Sequence, residues 1–221
     1  MGMNEYQLWF VGSELVLAVT ALWIALKFVI RGSAAHGAFA GALVLLAMAA
    51  LAGAVRIGFD LLTWVGIHQA LVDISGTVGF ILLGAGALEA AHQGMISKSP
   101  IRMMLVLAAI VAAVLLVIFD AATSVRPAFF AASLIAGILA GAVLSGRGQA
   151  PAALMMWAMF AVQLAILIAM MAGWLNAVAP GYAEVLFHFL MAVWCVMVLR
   201  AVTFAIPKAR AAEDGPWQVL E

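Results

Sequence analysis

Long apolar runs separated by short polar breaks fill this chain almost from end to end. None of the runs shows the two-residue alternation of a membrane β-strand, and each is close to the roughly 20 residues that a helix needs to cross the hydrocarbon core. The pattern predicts an all-α, polytopic seven-transmembrane-helix bundle that forms one domain over residues 1–206, followed by a short cytoplasmic tail over 207–221. The predicted spans lie near 8–30, 36–58, 69–92, 101–121, 127–146, 151–175 and 182–206.

The basic residues are distributed unevenly between the two ends of these spans. Eight of the ten Lys and Arg residues fall at the end that holds the breaks after spans one, three, five and seven, and only Arg56 and Arg126 fall at the other end. Short loops rich in Lys and Arg stay in the cytoplasm. The distribution therefore predicts that the amino terminus is outside and the carboxyl terminus is cytoplasmic.

Composition agrees with a membrane solvent. Hydrophobic residues make up 68% of the 221 residues and charged residues only 9%, whereas a soluble domain carries about 25% charged residues. The net charge is zero and there is no long basic run, so we expect no nucleic-acid partner. We expect a multi-pass protein of the cell membrane, in a bacterium the inner membrane, with membrane lipid as its surroundings.

Ionisable residues at membrane depth are the first candidates for a functional site, because burying a charge in the bilayer is costly and such residues usually serve a function. Three lie inside predicted spans and six lie at or near span ends in the half that we assign to the outer leaflet. The other half offers His36, Glu89 and His92, all at span ends. The residues of the outer half predict a polar pocket there, formed by Glu14, Arg56, His68, Asp73, Glu184 and His188.

Two residues of this set are spaced to share one helix face. Glu184 and His188 are four residues apart, so a carboxylate and an imidazole there could hold one metal ion or pass one proton. With Asp73 from another helix as a third ligand, a zinc site is one hypothesis. The alternative is structural: Arg56 pairs with Asp60, Arg126 pairs with Asp120, Glu184 caps span seven, and His68 lies in the headgroup zone.

Other cofactors are disfavoured by position. Retinal needs a buried lysine, and all three lysines lie near the cytoplasmic boundary. Haem needs facing histidines inside the bundle, but His68 and His92 would lie about 36 Å apart along one helix, which places both at boundaries. At the opposite end, Glu89 and His92 are interpreted as a solvated helix terminus. The small-residue pairs Gly37/Gly41 and Gly137/Gly141 indicate either packing inside the bundle or a homo-oligomer face.

Short motifs in four spans resemble the seven-helix membrane hydrolase superfamily of alkaline ceramidases and progestin/adiponectin-type receptors. They are the stretch Glu14–Trp23, the end of span two at Ala50–Phe59, Asp73 in span three, and Glu184-Val-Leu-Phe-His188 in span seven. The resemblance implies a seven-helix bundle with an outside amino terminus. It also implies a zinc-dependent amide hydrolase that uses a metal-activated water.

The motif of that superfamily is incomplete in this chain. The family places a histidine near the end of span two, where this sequence has Arg56 or Ile57. It also places His-x-x-x-His in span seven, where either Glu184 replaces the first histidine or Ala192 replaces the second. Only Asp73 and His188 carry over as expected ligands.

The sequence leaves three classes of function open. The first is a pocket protein that binds a small or lipid-like ligand, as a divergent metal-dependent hydrolase or as a non-catalytic relative. The second is a small-molecule or proton-coupled transporter, suggested by intramembrane carboxylates beside a titratable histidine. The third is a structural or accessory subunit of a membrane complex. Whether the protein is an enzyme is not decided by the sequence.

Overall fold

The computed structural model describes residues 4–59, 61–92 and 95–206, and all regular secondary structure in these ranges is helical. The predicted tail, 207–221, and Asp60 lie outside the described residues. In chain order the elements are α1 (Glu5–Arg31), α2 (Ala34–Gly58), α3 (Trp64–Ile74), a π segment (Ser75–Gly79), α4 (Phe80–Ala91), α5 (Pro100–Ile118), α6 (Ala122–Gly146), α7 (Ala150–Met171), α8 (Trp174–Val178) and α9 (Ala183–Ala205).

Within the described ranges, seven helices are long and apolar enough to cross a membrane, which confirms the predicted all-α seven-span bundle. α3, the π segment and α4 together form the third of them, from Trp64 to Ala91. The largest boundary differences are the start of the third span, predicted near 69, and the start of the fifth, predicted near 127. α6 begins at Ala122 and carries Pro127 in its second turn. Pro127 lacks an N–H group, but this removes only one helical hydrogen bond close to the helix start.

Local sequence signals account for several helix ends. The Asn4 side chain accepts a hydrogen bond from the backbone N–H of Gln7 at 2.8 Å, which caps α1, and Gly32 ends that helix with a φ of 71°. Ser33 caps α2 by accepting from the N–H of His36. Ser99 caps α5 in the same way, and Pro100 follows at the first helical position, where its missing N–H has no intrahelical partner to lose.

Six of the seven spans close into a ring. The contacts run from α1 to α2, from α2 to the third span, and then through α6, α7 and α9 back to α1. α5 packs on the outside of this ring against the third span and α6, and Ala113 is its one buried side chain. The ring therefore has an interior to which α5 does not contribute.

Small residues bring the ring helices close together. A Cβ atom at Gly137 would meet the ring of Phe160, and one at Gly141 would meet the indole of Trp157, both on α7. The Trp157 indole N–H donates to the carbonyl of Ile138 at 3.1 Å across the same contact. This glycine pair serves packing inside the bundle, as one of the two interpretations held, whereas the homo-oligomer stays a prediction.

Candidate functional site

The ring of six helices surrounds a partly open cavity of about 190 Å³. It lies between the middle of the bundle and the end at which α1, α3, α6 and α9 begin, called here the N-terminal face. Most of its wall is apolar, with Leu, Ala, Phe, Met and Trp side chains from α2, the third span and α9. The polar side chains that line it are Glu14, His68, Ser75, Arg126, Gln163 and His188.

Glu14 and His188 form the central polar contact of the cavity. His188 Nε2 on α9 lies 3.5 Å from Glu14 Oε1 on α1, and both side chains are largely buried. On the other side of the His188 imidazole, Ser13 donates its hydroxyl proton to the carbonyl of Phe10 at 2.8 Å. The Ser13 oxygen can then only accept from His188 Nδ1, which is 3.4 Å away.

This geometry has a consequence for the protons. With Nδ1 protonated, a neutral His188 turns the lone pair of Nε2 toward Glu14. An ionised Glu14 would oppose that lone pair with another, so the contact is favourable when one proton lies between the two groups. The geometry therefore favours one proton between the two groups, as a carboxylic acid beside imidazole or as carboxylate beside imidazolium.

His68 joins this pair through a glycine on α2. A Cβ atom at Gly53 would overlap Glu14 Oε1 and would come 3.1 Å from His68 Nε2. The carboxylate of Glu14 and the imidazole of His68 are therefore both seated against the bare backbone of Gly53. His68 lines the cavity, and its predicted position in the headgroup zone stays a prediction. The helix starts one turn earlier than predicted, which places His68 inside the span.

Glu184 and Arg56 lie at the N-terminal face beside this group. Tyr6 on α1 donates its hydroxyl to Glu184 Oε2 at 3.1 Å. Glu184 is also in the first turn of α9, where the helix dipole favours a negative charge, but Tyr182 is the N-cap residue and no side chain caps this helix, so the predicted capping by Glu184 does not form. The charges of Arg56 and Glu184 are close enough to interact electrostatically with the Glu14 side chain. Neither residue lines the cavity.

Asp73 forms an ion pair with Arg126, which connects the third span to α6. Gln69 Nε2 also donates to Asp73 Oδ2 at 3.2 Å. The predicted partner of Arg126 was Asp120, and that prediction is wrong. Because α6 begins at Ala122, Arg126 lies in its second turn and reaches into the bundle, while Asp120 lies in the turn between α5 and α6 with a φ of 55°.

The π segment Ser75–Gly79 follows directly after Asp73. Thr77 donates its hydroxyl to the carbonyl of Asp73 at 2.7 Å, which satisfies a carbonyl whose helical bonding is altered by the wider turn. A Cβ atom at Gly76 would overlap the side chain of Arg126. The wide turn and the glycine therefore leave room for Arg126 to pass along the third span to the cavity.

Gln163 on α7 is the polar residue of the cavity wall that the sequence analysis did not identify. It is 2% exposed, and its Oε1 has no hydrogen-bond partner among the described residues. A signal was present, since Gln163 is the one amide or charged side chain in the predicted span 151–175. Only ionisable residues were considered there, because a buried amide is less costly than a charge.

The six predicted pocket residues thus fall into three groups. Glu14, His68 and His188 meet at the cavity. Asp73 lies behind Arg126, and Arg56 and Glu184 lie at the N-terminal face. No group of three His, Cys, Asp or Glu side chains in the described ranges is arranged to hold a metal ion. Asp73 is bound to Arg126 and Glu184 to Tyr6, so the three predicted zinc ligands do not fit one metal site.

At the opposite end of the bundle, Glu89 is buried and not solvated as predicted. Glu89 was interpreted as part of a solvated terminus, but it is 7% exposed. Its carboxylate accepts from the backbone N–H of Ile96 at 2.7 Å and from the Ser97 hydroxyl. It stabilises the turn between α4 and α5, which is a structural role.

The helices and the cavity define a class of protein: a multi-pass α-helical bundle with the fold of an integral membrane protein and an internal, mostly apolar cavity. No family model matches the chain, and no curated protein and no solved structure matches it either.

Proposed function

We propose that this membrane protein binds a small, lipid-like ligand in the cavity of the six-helix ring. The observation that carries the proposal is the cavity itself. Its wall is mostly apolar and includes the polar side chains of Glu14, His68, Gln163 and His188. Ligand sites are typically concave and apolar with a few polar groups that orient the ligand. A cavity of about 190 Å³ has room for a molecule of six to ten heavy atoms, or for the end of a longer chain.

The resemblance to membrane hydrolases supports a ligand taken from the bilayer more than it supports the metal chemistry. Since the expected zinc ligands are engaged with Arg126 and Tyr6, no step through a metal ion follows from this site. The serine beside His188 does not supply a nucleophile, because Ser13 is fully buried and its proton is donated to Phe10. Binding, without an assigned reaction, is the function that the geometry supports best.

A brominated alcohol provides a test of binding. Trp194 lines the cavity and is 2% exposed, and bromine quenches indole fluorescence at contact range. We expect 6-bromohexan-1-ol to quench Trp194 saturably in lipid nanodiscs, with the Trp194 signal isolated by subtracting a Trp194→Phe variant. Ala49→Leu, which fills the cavity wall, should weaken the quenching at least tenfold.

The matched control for that test is Val19→Leu, which enlarges a 65% exposed side chain on α1 and should leave quenching unchanged. The proposal fails if quenching increases linearly with the alcohol content of the bilayer and is the same in Ala49→Leu. That result would mean that the probe reaches Trp194 only from the lipid.

A second candidate function, a proton-coupled transporter, is favoured by one observation. Glu14 Oε1 and His188 Nε2, two groups that can exchange a proton, lie 3.5 Å apart in the interior of the bundle next to the proposed ligand site. If the protein couples transport to that proton, Glu14→Gln should abolish ligand-driven acidification in proteoliposomes that carry a trapped pH dye. The same signal in wild type, in Glu14→Gln and in empty liposomes would eliminate this candidate.

We also propose that the N-terminal face is the outer one. Arg56 and Arg126 were the two exceptions to the predicted distribution of basic residues, and Arg126 is neutralised by Asp73 inside the bundle. When Arg126 is left out of the count, the difference in Lys and Arg content between the two ends of the bundle becomes larger. A phosphatase fused after Glu221 should be inactive in intact cells and a fluorescent protein fused there should be bright. The reverse pair of results would place the cavity near the cytoplasmic side.

A further inference from the structure

We propose that Gln163 accepts a hydrogen bond from the ligand, so that the cavity selects amphipathic molecules bearing an O–H or N–H group over wholly apolar molecules of the same shape. This inference rests on the proposed function, because it specifies the chemistry of a ligand in the same cavity. It assigns the specificity to one residue of α7 that no motif indicated.

The first argument is the unused hydrogen-bonding capacity of Gln163. Its side chain lines the cavity and is 98% buried, yet Oε1 has no partner among the described residues. Buried carbonyl groups are nearly always hydrogen-bonded, and leaving one unpaired is unfavourable. The helix around it offers no alternative, since Val162, Leu164, Ala165 and Ile166 carry no donor in their side chains.

The second argument is that, among the described residues of the cavity wall, Gln163 Oε1 is the buried acceptor without a protein partner, and the other unpartnered buried atom of the wall, Arg126 Nε, is a donor. Glu14 faces His188, Ser13 and Phe10 complete that chain, and Arg126 is bound to Asp73. The side chains of Glu14, His188 and Arg126 each already have at least one polar partner in the protein. Gln163 Oε1 is therefore the acceptor that we assign to a ligand.

The ligand class follows from both arguments. Its body is apolar, because Leu, Phe, Met and Trp side chains form most of the wall. Its polar end carries a donor, because a carbonyl oxygen only accepts. Alcohols, amines and amides with an N–H group satisfy this description. A wholly apolar molecule of the same shape would leave Gln163 Oε1 without a donor and would bind more weakly.

A pair of isosteric probes tests the inference. 6-Bromohexan-1-ol and 1-bromoheptane differ in a hydroxyl against a methyl group, and both report on Trp194 by quenching. With each concentration corrected for partition measured in protein-free nanodiscs, we expect the alcohol to bind about tenfold more tightly. In Gln163→Leu the two dissociation constants should become equal within a factor of about two.

Two further variants keep the result interpretable. Gln163→Met preserves the length of the side chain and should also abolish the preference, which covers the case in which Gln163→Leu does not fold. Ser133→Ala is the matched control, because Ser133 Oγ is likewise buried without a partner but does not line the cavity. It should retain the tenfold preference.

The outcomes separate this inference from the proposed function. Saturable binding of both probes with equal affinity to the wild type would overturn the role of Gln163 and leave the ligand site in place. A preference that persists in Gln163→Leu and Gln163→Met would overturn it as well. Absence of saturable quenching by either probe would overturn the ligand site and this inference together.

Discussion

Single residues decide how the polar groups of this bundle meet. Glu14 and His68 come from α1 and α3, and they approach each other because Gly53 on α2 has no side chain between them. The result is a compact acid and histidine group at the cavity, bounded on its far side by His188. One missing Cβ atom therefore determines whether Glu14 and His68 can both pack against α2.

The first prediction concerns this glycine. Gly53→Ala should lower the free energy of unfolding by about 1–3 kcal/mol, because the new methyl group overlaps the carboxylate of Glu14. Gly37→Ala on the same helix is the control, since nothing lies within 4 Å of its new methyl group. It should be neutral or stabilise by up to about 1 kcal/mol. Equal effects of both variants in reversible denaturation in mixed micelles would contradict the account.

The second prediction concerns the ion pair between Asp73 and Arg126. Asp73→Asn should destabilise the protein by about 3 kcal/mol, because it leaves the Arg126 charge partly buried without its partner. The double variant Asp73→Asn with Arg126→Gln should recover part of that loss. Purely additive effects in the same unfolding assay would show that the two side chains do not interact.

The membrane depth inferred from the sequence identified the buried ionisable residues better than it identified their partners. Glu14, Asp73 and His188 were identified because charge inside a bilayer is costly. Their partners depend on how each helix is rotated and on where it starts, and hydropathy contains neither quantity. Arg126 was therefore assigned to Asp120 instead of Asp73. Gln163 was missed because a buried amide is less costly than a buried charge and was not among the ionisable residues considered.

At the scale of elements, close helix packing decides the shape of the ring. α6 approaches α7 where Gly137 and Gly141 face Phe160 and Trp157. The third span is interrupted by the π segment at the level of the cavity, so that a wider turn lies where Arg126 passes. Both features are local departures from a uniform apolar helix.

The third prediction separates packing from oligomerisation. Gly137→Ala should lower the free energy of unfolding by about 1–3 kcal/mol because its methyl group would overlap Phe160, while the oligomeric state stays the same. Gly146→Ala in the same helix has open space around it and serves as the control. Light scattering together with denaturation checks both. A change of oligomeric state without a loss of stability would favour a glycine-mediated dimer face instead.

The elements themselves were largely predictable, and their irregularities were not. Runs of about 20 apolar residues produce helices in a bilayer because every backbone group must be hydrogen-bonded internally. The π segment Ser75–Gly79 leaves no trace in hydropathy, because it changes the hydrogen-bond register and not the polarity. The fifth span was predicted to start near Pro127, but α6 begins at Ala122, because a membrane helix tolerates proline in its second turn.

At the scale of the whole molecule, the ring leaves one span outside and one space inside. α5 carries mainly exposed apolar side chains, as expected of a helix that faces lipid. The other six spans surround the cavity, and each contributes at least one residue to its wall. The central claim is that this interior space is reached and occupied by a small ligand.

Chemical labelling of a cysteine in the cavity wall tests that claim most directly. In a Cys195→Ala background, Ser75→Cys should react with methyl methanethiosulfonate, and 6-bromohexan-1-ol should slow the reaction at least fivefold. Ala113→Cys, buried in α5 away from the cavity, should not react under the same conditions. If Ser75→Cys is as inert as Ala113→Cys, or reacts at a rate that the alcohol does not change, the interior is not a ligand site.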